Sequence, residues 1–172
     1  MEYQDVYNAN KERTGRVIVR GTPLEKDEYV LCVGCWVVNE RGEVFITRRS
    51  PEKRFAPNLW ENTSGGAIAG EDGKDAILRE LFEETGIRAG RNELILLAER
   101  RKEDIFAEDY ALIRNFPLED VVLQPGETCG AAWVSEEKWE EMLLSGEIAP
   151  SVYETLKPYK EKLLQILHSA RK

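Results

Sequence analysis

One histidine and three cysteines are present among 172 residues. A zinc site or a histidine-dependent mechanism therefore has almost no side chains to draw on. Three cysteines do not make a disulfide framework either. Cys32 and Cys35 have CxxC spacing, but they sit in VLCVGCWVV, which reads as a strand. Residues three apart on a strand point to opposite faces, so one metal or one disulfide is awkward there. The redox form of the motif wants a helix N-terminus, which is missing. Both thiols, and Cys129 with them, read as buried structural side chains. His168 falls in the last helical turns and reads as solvated surface. No apolar run approaches the roughly 18 residues of a membrane span, and no charged-then-apolar leader opens the chain, so the expectation is a cytoplasmic protein. Positive charge is also scarce: 24 Lys and Arg stand against 32 Asp and Glu, a formal charge of −8. That balance argues against broad nucleic-acid binding through the phosphate backbone. It leaves room for a small phosphorylated ligand, because a bound metal can invert the local charge.

What is present fits one domain over residues 1–172, with no internal repeat, linker or low-complexity tract. Residues 3–8 and 14–20 read as two short strands. Residues 30–38 are nearly continuously apolar, as in a central strand covered on both faces, and 43–49 return as its hairpin partner. Residues 50–58 form a polar loop. A helix is predicted over 73–85, with Asp72 at its N-cap and Gly86 as its stop. Strands are predicted over 93–102, 110–116 and 127–134, with the acidic segment 103–109 as a loop. Ser135 caps a further helix ending at Gly146. Ser151 with Glu154 forms a capping-box pattern that opens helical periodicity towards His168, interrupted by Pro158. Strands around one central helix, then helices at the end, read as an α/β (α+β) domain with a mixed sheet in an α/β/α sandwich.

The densest chemistry lies in Gly65 to Ile87, GGAIAGEDGKDAILRELFEETGI. A helix turns by about 100° per residue, so the face of each side chain follows from its position. With Ile77 at zero, Leu81, Leu78 and Phe82 fall within about 140° and form an apolar stripe. Glu80, Glu83 and Glu84 occupy an arc of about 100° on the other side, with Arg79 at its edge and only Ala76 between them. Like charges at these spacings destabilise a bare helix. A divalent cation supplies a reason for them.

Gly65, Glu71 and the run Arg79-Glu80-Leu81-Phe82-Glu83-Glu84-Thr85-Gly86-Ile87 match the Nudix box at each of its nine specified positions over 23 residues. The chain thus resembles the Nudix hydrolases. The resemblance implies the Nudix fold, with the N-terminal strands and C-terminal helices as additions to it. It also implies hydrolysis of a nucleoside diphosphate linked to a further group or of a related phosphorylated metabolite. By the same resemblance Glu80, Glu83 and Glu84 hold Mg²⁺, with Mn²⁺ as a substitute. Glu71 supports the loop or the metal shell, and Gly65 and Gly66 form the turn over the substrate. Arg79 can hold Glu83 by an i,i+4 pair. Glu127 sits just before a strand, where several members of the family place a general base. Many Nudix enzymes pair their domains, and the N-terminal strands or C-terminal helices are candidate faces for a homodimer.

A second resemblance lies upstream. Arg49-Ser50, Lys53, Phe55, Pro57, Trp60 and Asn62-Thr63 are similar to the segment before the box in isopentenyl-diphosphate isomerases, where basic residues hold the diphosphate. Arg48, Arg49, Lys53 and Arg54 lie within seven positions. Strand alternation lets only one of Arg48 and Arg49 reach a site. Arg49, Lys53 and Arg54 are thus the candidates for phosphate contact. Trp60 and Trp36 are candidates for stacking on a base, with core packing as the alternative. The isomerase activity itself meets two departures: Gly65 stands where that enzyme has its cysteine, and Ala67 where it has a histidine. A catalytically silent ligand-binding module is the third reading, against which stands the complete set of box glutamates.

Overall fold

A strand that is apolar on both faces must lie between two covered layers. β3 (Val30–Val38) does so at the centre of the sheet. The computed structural model describes residues 1–171. In it, Leu31, Val33, Cys35 and Val37 pack into one core, and Trp36 and Val38 into the other. β3 pairs in parallel with β8 (Ile105–Ile113) over nine residue pairs and antiparallel with β4 (Glu43–Arg49) and β6 (Thr63–Gly66). β5 (Trp60–Glu61) and β9 (Thr128–Ser135) extend the sheet from β4, and β7 (Ile95–Lys102) lines β8, giving seven strands of mixed direction. A separate antiparallel ribbon, β1 (Tyr3–Tyr7) with β2 (Arg13–Val19), is tied to the sheet's lead-in by a bridge between Tyr7 and Tyr29.

α1 (Gly73–Thr85) covers the Leu31 face with Ala76, Ile77 and Leu81. α2 (Glu136–Ser145), α3 (Pro150–Leu156) and α4 (Lys160–Ala170) cover the other with Trp139, Leu143, Leu156, Leu163 and Leu167. There Trp36 meets Trp139 edge-on, centroids 5.3 Å apart, and its Nε1–H donates to the Tyr159 hydroxyl at 3.3 Å. The layers are those of an α/β/α sandwich with a mixed sheet. Among the described residues no helix is long and apolar enough to cross a membrane.

The predicted helix signals at α1 and α2 are realised. Asp72 accepts from the Asp75 N–H at 3.0 Å, Ser135 accepts from the Lys138 N–H at 3.2 Å, and Gly86 and Gly146 close the helices at φ 74° and 79°. Four expectations need correction. Residues 105–109 are strand, not loop, and only Glu103 and Asp104 turn the β7–β8 hairpin. Their acidity misleads because each acid has its cation: Lys11 reaches Glu108 at 2.6 Å, and Arg100 grips Asp109 at 2.5 and 2.9 Å. The Ser151 capping box is not used. α3 begins at Pro150 after Ala149, whose N–H goes to the Trp60 carbonyl at 2.8 Å. Phe82 leaves the apolar stripe and lies exposed under the Arg88 guanidinium, 3.9 Å from its ring centroid. Cys129 is exposed, with its thiol towards the Arg49 carbonyl, and Cys32 is half-buried. Cys35 alone of the three is fully enclosed, and burial pushes its thiol up to about 12.

Asp72 anchors α1 and is held at about 2, chiefly by the Arg91 guanidinium and then by the Asp75 N–H. A carboxyl depressed in the fold contributes stability above its unfolded value of 3.8 and loses it as the pH falls towards 2. Asp72→Ala is expected to lower stability by about 1 kcal/mol at pH 7, the usual worth of an N-cap. Urea titrations at stepped pH should show that difference closing between the two values. A difference that persists unchanged below them would assign the loss to something other than the charged cap.

Candidate active site

Arg79 organises the loop and helix that carry the acidic cluster. Its Nε and Nη2 donate to the two Glu71 oxygens at 2.8 and 3.1 Å, and Nη2 also to the Gly66 carbonyl at 3.0 Å. Nη1 donates to Glu80 at 2.9 Å and to Glu83 at 3.1 Å. All five guanidinium N–H bonds are thereby used, and three carboxylates are fixed by one cation. Glu71 also accepts from the Ile68 N–H at 3.1 Å, which closes the turn ahead of the helix. With both oxygens engaged, Glu71 braces the loop rather than facing open space. The expected turn at Gly65 and Gly66 is instead the end of β6, where Gly65 pairs with Val33 and Gly66 with Cys32, and a Cβ on Gly65 would overlap the Glu80 carboxylate. Only a bare backbone lets that side chain lie on the strand.

Beside this lies a cleft of about 1100 Å³. Glu80, Glu83 and Glu84 of α1 line it together with Gly65, Gly66, Arg49, Lys53, Arg54 and Glu127. Glu84 is 8% exposed, and its Oε2 has no hydrogen-bond partner. The Thr63 hydroxyl beside it is also buried; it forms no well-aligned hydrogen bond, yet it lies close enough to pull the Glu84 carboxyl down slightly against its burial. Burial, with the charges of Glu61, Glu80 and Glu127, holds the Glu84 carboxyl well above the usual carboxylate range. Burial also raises Glu80, against the pull of Arg79. Arg49 grips both oxygens of Glu61 at 2.8 and 2.6 Å and donates through Nε to the Phe55 carbonyl. Lys53 pairs with Glu127.

The donor set suits a hard divalent cation, since it consists of carboxylate oxygens and no soft ligand. Glu84 supplies the sharpest sign of fit: a buried carboxylate oxygen without a donor is costly unless a positive partner meets it. Among the described residues no three acidic, cysteine or histidine side chains stand grouped closely enough to hold an ion as they are. Their oxygens are turned instead to Arg79, Arg49 and Lys53.

The structure therefore brings Glu80, Glu83, Glu84, Glu127, Arg49, Lys53, Arg54, Gly65 and Gly66 to one cleft. Arg79 and Glu71 do not line it. Arg48 turns away and donates to the Asn58 carbonyl at 2.9 Å, so Arg49 is the member of the pair that faces the cleft. Trp36 is core, and Trp60 packs half-buried against the helical layer instead of lining the cleft. Glu61 was missed by sequence reasoning. Its one signal is strand position, since an acid beside Trp60 on an edge strand alternates inward.

Residues 28–155 match the NUDIX domain family, leaving β1, β2 and α4 outside the match. An uncharacterized Nudix hydrolase of Listeria monocytogenes is 32% identical over 151 residues, 87% of this chain and 89% of its own. An RNA pyrophosphohydrolase of Azorhizobium caulinodans is 32% identical over 133 residues, 73% of this chain and 67% of its own. An isopentenyl-diphosphate Delta-isomerase of Paenarthrobacter aurescens is 45% identical over 76 residues, 44% of this chain and only 39% of its own. A crystal structure from Deinococcus radiodurans shares the fold at a TM-score of 0.74 and 24% identity, covering 92% of this chain and 99% of its own. With the box glutamates gathered at one cleft and the domain matched over most of its length, the chain is an enzyme of the Nudix hydrolase family.

Proposed function

We propose that the chain is a divalent-metal-dependent pyrophosphohydrolase that cleaves a diphosphate linkage in a small phosphorylated metabolite, a nucleoside diphosphate joined to a second group or a related compound. Mg²⁺ is the expected cation and Mn²⁺ a substitute. One observation carries the reading: Glu84, with its unpaired buried oxygen, lines the same cleft as Arg49, Lys53 and Arg54.

Glu80, Glu83 and Glu84 would hold the cation. When bound, it neutralises diphosphate charge and lowers the pKa of the attacking water. Displacement at phosphorus asks mainly for positioning and charge neutralisation, and the remaining residues supply these. Arg49 offers a planar fork and Lys53 a point charge to phosphate oxygens. Arg54 stands at the exposed rim over Phe55. Arg79 touches no substrate in this scheme; it orients Glu80 and Glu83 from behind. Glu127, partly exposed and paired with Lys53, is our candidate to take the proton released by the attacking water. The similarity to an RNA pyrophosphohydrolase supports the reaction type. The isomerase similarity is confined to a minority of that relative, and Gly65 and Ala67 remove the thiol and imidazole its chemistry uses.

Replacing Glu83 and Glu84 together by Gln is expected to cut turnover by roughly 100-fold or more, since ligand changes exceed the 10–100-fold typical of outer residues. The assay is phosphate-containing product from a panel of nucleoside diphosphate sugars, nucleotides and isopentenyl diphosphate with Mg²⁺. Wild-type turnover in the folded double variant would remove these residues from the metal site. Glu127→Gln should lower kcat by about 10²–10⁴ with KM little moved, as for loss of a general base. Full turnover under saturating Mg²⁺ would take Glu127 out of the mechanism.

A further inference from the structure

Two cations of the cleft, Arg49 and Lys53, already hold carboxylates. Arg49 is clasped through one guanidinium nitrogen by both oxygens of Glu61, a pair with side chains only 18% and 9% exposed. Lys53 is held by Glu127. Glu61 lies outside the box, on β5, yet it lines the same cleft and its charge acts on Glu84. An entering diphosphate must therefore displace these carboxylates or bind beside them, and either way it faces them, with Glu84, at short range. At low effective dielectric such like-charge contacts are strongly unfavourable. A divalent cation reverses the arithmetic, because besides the α1 glutamates it attracts Glu61 and Glu127, which hold Arg49 and Lys53.

Resting on the function proposed above, we infer that Glu61 and Glu127 are internal counter-ions that keep Arg49 and Lys53 closed to phosphate, so that the cleft takes a diphosphate only together with a divalent cation. The carboxylates have two alternative sets of partners. With no cation, Arg49 and Lys53 satisfy them. With a cation held by Glu80, Glu83 and Glu84, its charge would draw Glu61 and Glu127 off Arg49 and Lys53, and the two basic side chains would be released to the substrate. The coupling is reciprocal by linkage: the diphosphate must raise cation affinity by the factor by which the cation raises its own. Glu61 is thus a positioning residue that couples the two bindings without touching the reacting phosphorus.

The test is calorimetric titration of methylenediphosphonate, which cannot be hydrolysed at its bridge, into the folded protein in EDTA and in Mg²⁺. Wild type should bind it with Mg²⁺ and at least about tenfold more weakly in EDTA, within the usual range of coupling between sites. Glu61→Gln should tighten binding in EDTA several-fold and shrink the Mg²⁺ effect. Glu127→Gln, at a partly exposed pair with little folding risk, should do the same by freeing Lys53. Glu52→Gln is the control, because Glu52 lines the cleft but forms no ion pair among the described residues. An equal gain from Glu52→Gln would reduce the effect to net charge and overturn the inference. So would unchanged EDTA affinity in both variants while wild type still binds with Mg²⁺, a result that leaves the hydrolase reading intact. Failure of wild type to bind even with Mg²⁺ would overturn both.

Discussion

Carboxylates gathered at one place repel each other, and here Glu61, Glu80, Glu83, Glu84 and Glu127 surround a single cleft. Everything near them compensates. Arg79 spends its whole donor set on the loop and helix that carry the box, tying Glu71, Glu80 and Glu83 into one unit. Arg49 and Lys53 pair with Glu61 and Glu127. Among the described residues Glu84 has the one carboxylate oxygen that is buried with no hydrogen-bond partner, and it is the deepest of the acids on α1. The three cations only partly offset these acids, and Glu84 has none of them as an ion-pair partner.

The fold makes that concentration tolerable by separating packing from chemistry. Apolar burial is handled by two cores on either side of β3, each closed by its own helices. α1 serves both purposes at once: Ile77 and Leu81 seal one core while Glu80 and Glu84 reach the cleft, and Ala76 is small enough to let the helix sit close to the sheet. The bare backbone of Gly65 completes the approach, since any side chain there would occupy the space of the Glu80 carboxylate.

Much of this was legible in the chain. Helix caps at Asp72, Ser135, Gly86 and Gly146 are local signals and were read correctly, and the apolar run of β3 announced a covered strand. What failed was local in appearance and non-local in cause. Residues 105–109 looked too acidic for a strand because Lys11 and Arg100, which neutralise Glu108 and Asp109, come from other strands and turns. Phe82 looked like core because helical phase cannot foresee Arg88 folding over it. Glu61 went unnoticed for the same reason: its importance lies in Arg49 and Glu84, which the sequence places at a distance.

The parallel pairing of β3 with β8 carries a consequence for how the molecule is made. Parallel neighbours cannot be joined by a tight turn, so the chain between them must cross over, and α1 lies within that crossover. Contacts between such distant segments form slowly, because loop closure precedes the gain from pairing. The helix bearing the box can be helical early, yet it has no cleft to face until β8 has docked beside β3 and the later β9 beside β4. A chain caught halfway through folding carries every glutamate of the site and none of its geometry.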